Sequence, residues 1–64
     1  GHGFAVLAAV RESEELRATR VLMLSSKSYA EDRRRALEAG ADAYMTKPFE
    51  PDALLKTVRG LLGA

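Results

Sequence analysis

The sequence predicts an α/β fold ordered helix–strand–helix–strand–helix, with two parallel strands that amount to half of a doubly wound sheet. Three observations predict it. The run "RVLML" is apolar without alternation, as in a strand covered on both faces. A second short apolar run, "DAYMT", follows one helical pattern later. An amphipathic helical stripe then closes the chain.

The elements follow in order. Phe4, Leu7 and Val10 recur at helical spacing with Val6 beside them, which predicts a helix over Phe4–Arg11. The polar stretch "ESEEL" leads into a connection ending near Thr19, and Glu12, Glu14 and Glu15 read as part of it rather than as a general acid/base pair. The first strand is expected at Arg20–Leu24. Ser28 with Glu31 fits a capping box, so the next helix is expected to begin at Ser28. That helix should carry Tyr29, Ala36, Leu37 and Ala39 inward and Arg33, Arg34 and Arg35 mostly outward. Gly40 stands where a left-handed helix stop belongs. The second strand is expected at Asp42–Thr46, and Pro51 suits the first position of the last helix. Leu54, Leu55, Val58, Leu61 and Leu62 form its stripe, with Gly60 on the polar side.

Composition narrows the function. The 64 residues are 47% hydrophobic and 30% charged, which fits one globular unit rather than a disordered chain. No cysteine is present, excluding disulfides and thiolate metal sites, and His2 is the only histidine. The opening "GHG" reads equally as a tag remnant or the end of a native loop. No apolar run approaches the ~20 residues of a membrane span, and no signal peptide is legible, so a cytoplasmic setting without membrane partners is expected. With a formal net charge of +1 there is no global electrostatic case for nucleic acid. The Arg33–Arg35 run reads as a solvated helix face, with a docking or nucleic-acid patch as its alternative.

Strand–helix–strand with such short connections means parallel strands joined by a right-handed crossover. Two parallel strands leave unpaired edges, which are templates for another chain. Self-association, or pairing with an amino-terminal half, is therefore expected.

"VLMLSS" and "ALEAGADAYMTKPFEPDALL" together resemble the C-terminal half of a receiver domain of bacterial two-component response regulators, chemotaxis-regulator-like, over essentially the whole chain. The resemblance implies a flavodoxin-like fold and a part of a phosphorelay switch over residues 1–64, without enzymatic activity. It places Ser25 at the end of the penultimate strand as a phosphoryl-contacting hydroxyl and Lys47 at the end of the last strand as the phosphoryl-contacting lysine. It makes Tyr44 the aromatic switch residue, turning inward when the phosphoryl group is present, and makes the Lys47–Pro48 peptide cis. Each has a plainer reading: a turn-capping serine, a surface lysine, a core tyrosine. A Ser25–Lys47 nucleophile dyad is conceivable chemistry, but no oxyanion-hole feature accompanies it. The family's phosphate-accepting Asp and its acidic Mg2+ cluster would both lie upstream of Gly1, and Asp32, Asp42 and Asp52 are not equivalent to them. No metal or cofactor is therefore expected in these residues, Mg2+ belonging to a full-length receiver. Ser26 stands where the family usually has alanine. A sensor histidine kinase and an effector domain are the implied partners of a parent protein.

Overall fold

The computed structural model describes residues 2–63. Five elements follow one another: α1 (His2–Glu12), β1 (Leu22–Ser25), α2 (Ala30–Glu38), β2 (Ala43–Thr46) and α3 (Pro51–Leu61). The strands pair in parallel, Leu22 opposite Ala43 through Ser25 opposite Thr46. The expected element order and parallel sheet are both present.

Their burial is one-sided. Leu7, Ala36, Ala41 and Tyr44 are buried together, with Phe4, Val21 and Met23 packed against them, so α1 and α2 share one face of the sheet. Removing the Leu7 side chain from water contributes on the order of 2 kcal/mol. Leu22, Leu24, Ala43 and Met45 alternate with the core side chains and point to the other face. No residue of α3 is buried. Of its five-residue stripe Leu54, Val58 and Leu61 are half-buried, whereas Leu55 and Leu62 remain 51% and 71% exposed. The stripe is wider than the surface available to cover it.

The first strand begins later than expected because the Val21 amide donates to the Asp42 carboxylate at 2.7 Å, outside the ladder. Helix α2 begins at Ala30 rather than Ser28, with Tyr29 as N-cap and no side-chain capping bond. The capping box fails because the Glu31 carboxylate is engaged elsewhere, accepting from Arg34 Nε at 2.8 Å. Tyr29, standing before the helix, is 78% exposed, and Leu37 is 44% exposed. Arg35 lies over the Phe4 ring, 5.7 Å from its centroid, joining α2 to α1 by a cation–π contact.

At the amino end of the sheet, Arg11 ties three segments together. Its Nε and Nη2 both donate to the Gly40 carbonyl (2.9 and 2.7 Å), and its Nη1 donates to the Arg17 and Thr19 carbonyls (2.9 and 2.6 Å). Nη2 also meets Asp42 at 2.9 Å. Gly40 has φ +110°, and a Cβ there would stand 3.1 Å from the Arg11 side chain. Glycine thus permits both the left-handed turn and the arginine's approach.

Candidate functional site

The carboxyl ends of β1 and β2 bring Ser25 and Lys47 together. Ser25 is in register with Thr46, and the Lys47 amide donates to the Ser25 carbonyl at 2.7 Å, so the ladder runs one residue past β2. The Lys47–Pro48 peptide bond is cis. Ligands of open parallel α/β sheets bind at this end, where the loops leave the strands.

The Ser25 hydroxyl accepts from the Lys27 amide at 3.1 Å, capping the turn after β1. A hydroxyl that accepts still has its own proton to donate, so capping and anion contact are compatible. The Lys47 ammonium makes no hydrogen bond or ion pair among the described residues and is exposed. Thr46 adds a second half-buried hydroxyl residue opposite Ser25. A hydroxyl donor and an unpaired ammonium at adjacent strand ends suit an anionic oxygen cluster.

Tyr44 lies two register steps back from this end, opposite Met23, and is 6% exposed. Its phenol donates to the Lys27 carbonyl at 2.6 Å, crossing from β2 to the loop that Ser25 caps. Lys27 thus contacts both Ser25 and Tyr44 through its backbone alone. The ring's burial in the core accords with the plainer reading of Tyr44 as a core residue, and the bond to the loop adds a mechanical link.

Three features were not legible beforehand. The Lys27 backbone carries no side-chain signature. Arg33, read as outward, donates to the Tyr44 carbonyl at 3.3 Å. Arg11 had no motif at all. Among the described residues no group of three metal-ligating side chains comes together, and no helix is long and apolar enough to cross a membrane.

Residues 1–59 match the response regulator receiver domain family. The chain belongs to that family. It is 36% identical over 62 residues to the phosphate regulon transcriptional regulatory protein PhoB of Escherichia coli K12, covering 97% of this chain and 27% of that protein. To the DNA-binding dual master transcriptional regulator RpaA of Synechocystis it is 38% identical over 60 residues, or 94% of this chain and 25% of the relative. The transcriptional regulatory protein DltR of Streptococcus agalactiae serotype III is 44% identical over 57 residues, or 89% and 25%. The chain thus spans about a quarter of the length of these curated relatives. A putative response regulator from Chloroflexus aurantiacus superposes with a TM-score of 0.88 at 31% identity, over 97% of this chain and 51% of that one. The flavodoxin-like receiver fold is therefore the fold of this chain, and the receiver family is a signalling module.

Proposed function

We propose that these residues are the readout half of a phosphorelay receiver: Ser25 and Lys47 contact the phosphoryl group, and Tyr44 reports its presence. The observation that carries this reading is the 2.7 Å bond from the Lys47 amide to the Ser25 carbonyl, which sets the two residues at neighbouring strand ends. The ammonium neutralises one phosphoryl oxygen while the hydroxyl donates to another. The acceptor aspartate and the Mg2+-holding acidic cluster belong, in this reading, to an amino-terminal half.

Signal passes from the site through the loop. A phosphoryl oxygen that draws on the Ser25 hydroxyl moves the turn whose amide and carbonyl at Lys27 bond Ser25 and Tyr44. Arg33 extends the link, since it holds α2 to the Tyr44 carbonyl. The groove of about 510 Å3 beside β2, walled by Arg33, Leu37, Tyr44 and Thr57, then changes shape and with it the affinity for an effector. This is a population shift between two arrangements of one loop and one aromatic residue. A sensor histidine kinase supplies the signal in the parent protein.

The test joins these residues to a receiver amino-terminal half carrying the acidic cluster and the acceptor aspartate. Beryllofluoride with Mg2+ serves as the phosphoryl mimic, and amide chemical shifts of Ser25, Lys27, Tyr44 and Lys47 are followed. All four should move in the parent fusion, and Ser25→Ala or Lys47→Ala should weaken binding of the mimic at least tenfold. Unchanged binding in both variants would sink the assignment.

A further inference from the structure

The outer edge of β2 presents backbone that the sheet does not use. The Ala43 and Lys47 amides bond β1, so alternation turns the backbone groups of Tyr44 and Thr46 away from it. Arg33 Nη2 donates to the Tyr44 carbonyl at 3.3 Å, longer than a well-made N–H···O bond. The Tyr44 amide and both backbone groups of Thr46 bond nothing among the described residues.

An amino-terminal half joins the other edge. Helices α1 and α2 lie on the same face of the sheet. Crossovers are right-handed, so two on one face step across the sheet in the same direction. The step through α2 runs from β1 to β2, and a strand entering through α1 therefore stands on the far side of β1.

A groove of about 510 Å3 follows the β2 edge, with Arg33 and Leu37 of α2 on one side and Ala43, Met45 and Thr57 on the other. Its strand wall runs from Asp42 to Thr46, the length of a short extended segment. Its unmatched charge is positive. Arg33 forms no ion pair among the described residues, whereas Arg34 is taken up by Glu31 and Glu38. Asp42, the acidic residue of the wall, is matched by Arg11.

We propose that the β2 edge takes an extended acidic segment of a partner protein as an added strand. The segment bonds the Tyr44 amide and the Thr46 backbone groups, as in other strand additions to a sheet edge. Arg33 moves from the Tyr44 carbonyl onto a carboxylate of the guest, exchanging a long bond for a charge-assisted one, and a guest amide takes the carbonyl. Arg33 and Leu37 stand about 6 Å apart along α2, close to the about 6.6 Å between alternate residues of a strand. The guest therefore carries its acidic residue two positions from an apolar one. The groove is the one that the proposed switch reshapes, and the acidic strand, resting on that reading, is the effector's contact.

The test titrates the receiver made whole by an amino-terminal half, without a phosphoryl mimic, with a capped seven-residue peptide. Its threonines alternate with valine, glutamate and valine. Exchange of the Tyr44 and Thr46 amide protons with water should slow at least tenfold. A peptide with lysine in place of the glutamate should bind at least tenfold more weakly, and Arg33→Glu should reverse that preference. N-methylation of one alternate set of peptide amides should abolish binding, while methylation of the other set is tolerated. Unprotected Tyr44 and Thr46 amides at millimolar peptide overturn the proposal, as does an unchanged preference in Arg33→Glu or an equal effect of the two methylated sets. So does protection of both amides in a concentration-dependent dimer free of peptide, which makes a second copy the occupant. Peptide binding without the mimic stands or falls separately from the mimic-driven shifts of Ser25 and Lys47 that test the switch itself.

Discussion

The Tyr44 phenol and the Lys27 carbonyl, 2.6 Å apart, tie the second strand to the loop after the first. The bond places a core side chain under the control of a surface turn. It also separates two contributions that substitution can resolve.

Tyr44→Phe keeps the buried ring and loses only that bond. A neutral hydrogen bond contributes about 0.5–1.5 kcal/mol net, so urea unfolding should show a loss in that range. Tyr44→Ala also empties the ring's place and should cost about 3–5 kcal/mol, enough to leave a unit this small largely unfolded. Equal effects of the two substitutions would mean that the hydroxyl, not the ring, holds the core.

Arg11 and Gly40 should fail together. Arg11→Ala strips donors from the Gly40, Arg17 and Thr19 carbonyls and from Asp42, and a loss of about 2–3 kcal/mol is expected. Arg11→Lys should recover less than half, because an ammonium cannot reproduce the planar fork. Gly40→Ala strains a backbone at φ +110° and pushes on the arginine at 3.1 Å. Combined with Arg11→Ala, it should cost less than the sum of the two, since the crowding is then relieved. Strict additivity in a double-mutant cycle would refute the coupling.

Hydrogen bonding from Arg34 holds the Glu31 carboxyl below the ordinary glutamate range. A carboxyl with a depressed folded-state pKa contributes stability above its unfolded value and loses it as pH falls through the folded one. Helix α2 should therefore weaken as pH drops below the ordinary glutamate pKa of about 4.3. The effect is small, because both side chains are exposed and salt screens them. Titration of the Glu31 side-chain carboxyl carbon by NMR should show a return to the ordinary range in Arg34→Ala.

Lys47→Ala should barely touch stability, within about 0.5 kcal/mol, since the ammonium is exposed and bonds nothing among the described residues. Ser25→Ala removes the turn cap on the Lys27 amide and should cost about 0.5–1 kcal/mol. A large loss in Lys47→Ala would reveal a structural task for that side chain and remove it as a clean probe of anion contact.

The element types, their order and the parallel pairing were legible in the sequence because they rest on local patterns: unbroken apolar runs for the strands, Gly40 as a helix stop, Pro51 at a helix start. The strand-end positions of Ser25 and Lys47 were legible because motif and spacing mark both. What the chain alone could not disclose depends on competition among polar groups, some neighbours in sequence and some far apart. Ser28 and Glu31 carry a capping signal, but the Glu31 carboxylate bonds Arg34 instead, and the helix starts at Ala30. Tyr29 and Leu37 carry an inward signal, yet the first precedes the helix and the second has too little sheet to lie on. Arg11 reaches across 29 residues to Gly40, and Arg33 finds a strand carbonyl that only the folded edge presents. Periodicity records which side chains avoid water. The partners of polar groups far apart in the chain exist only once the strands have paired.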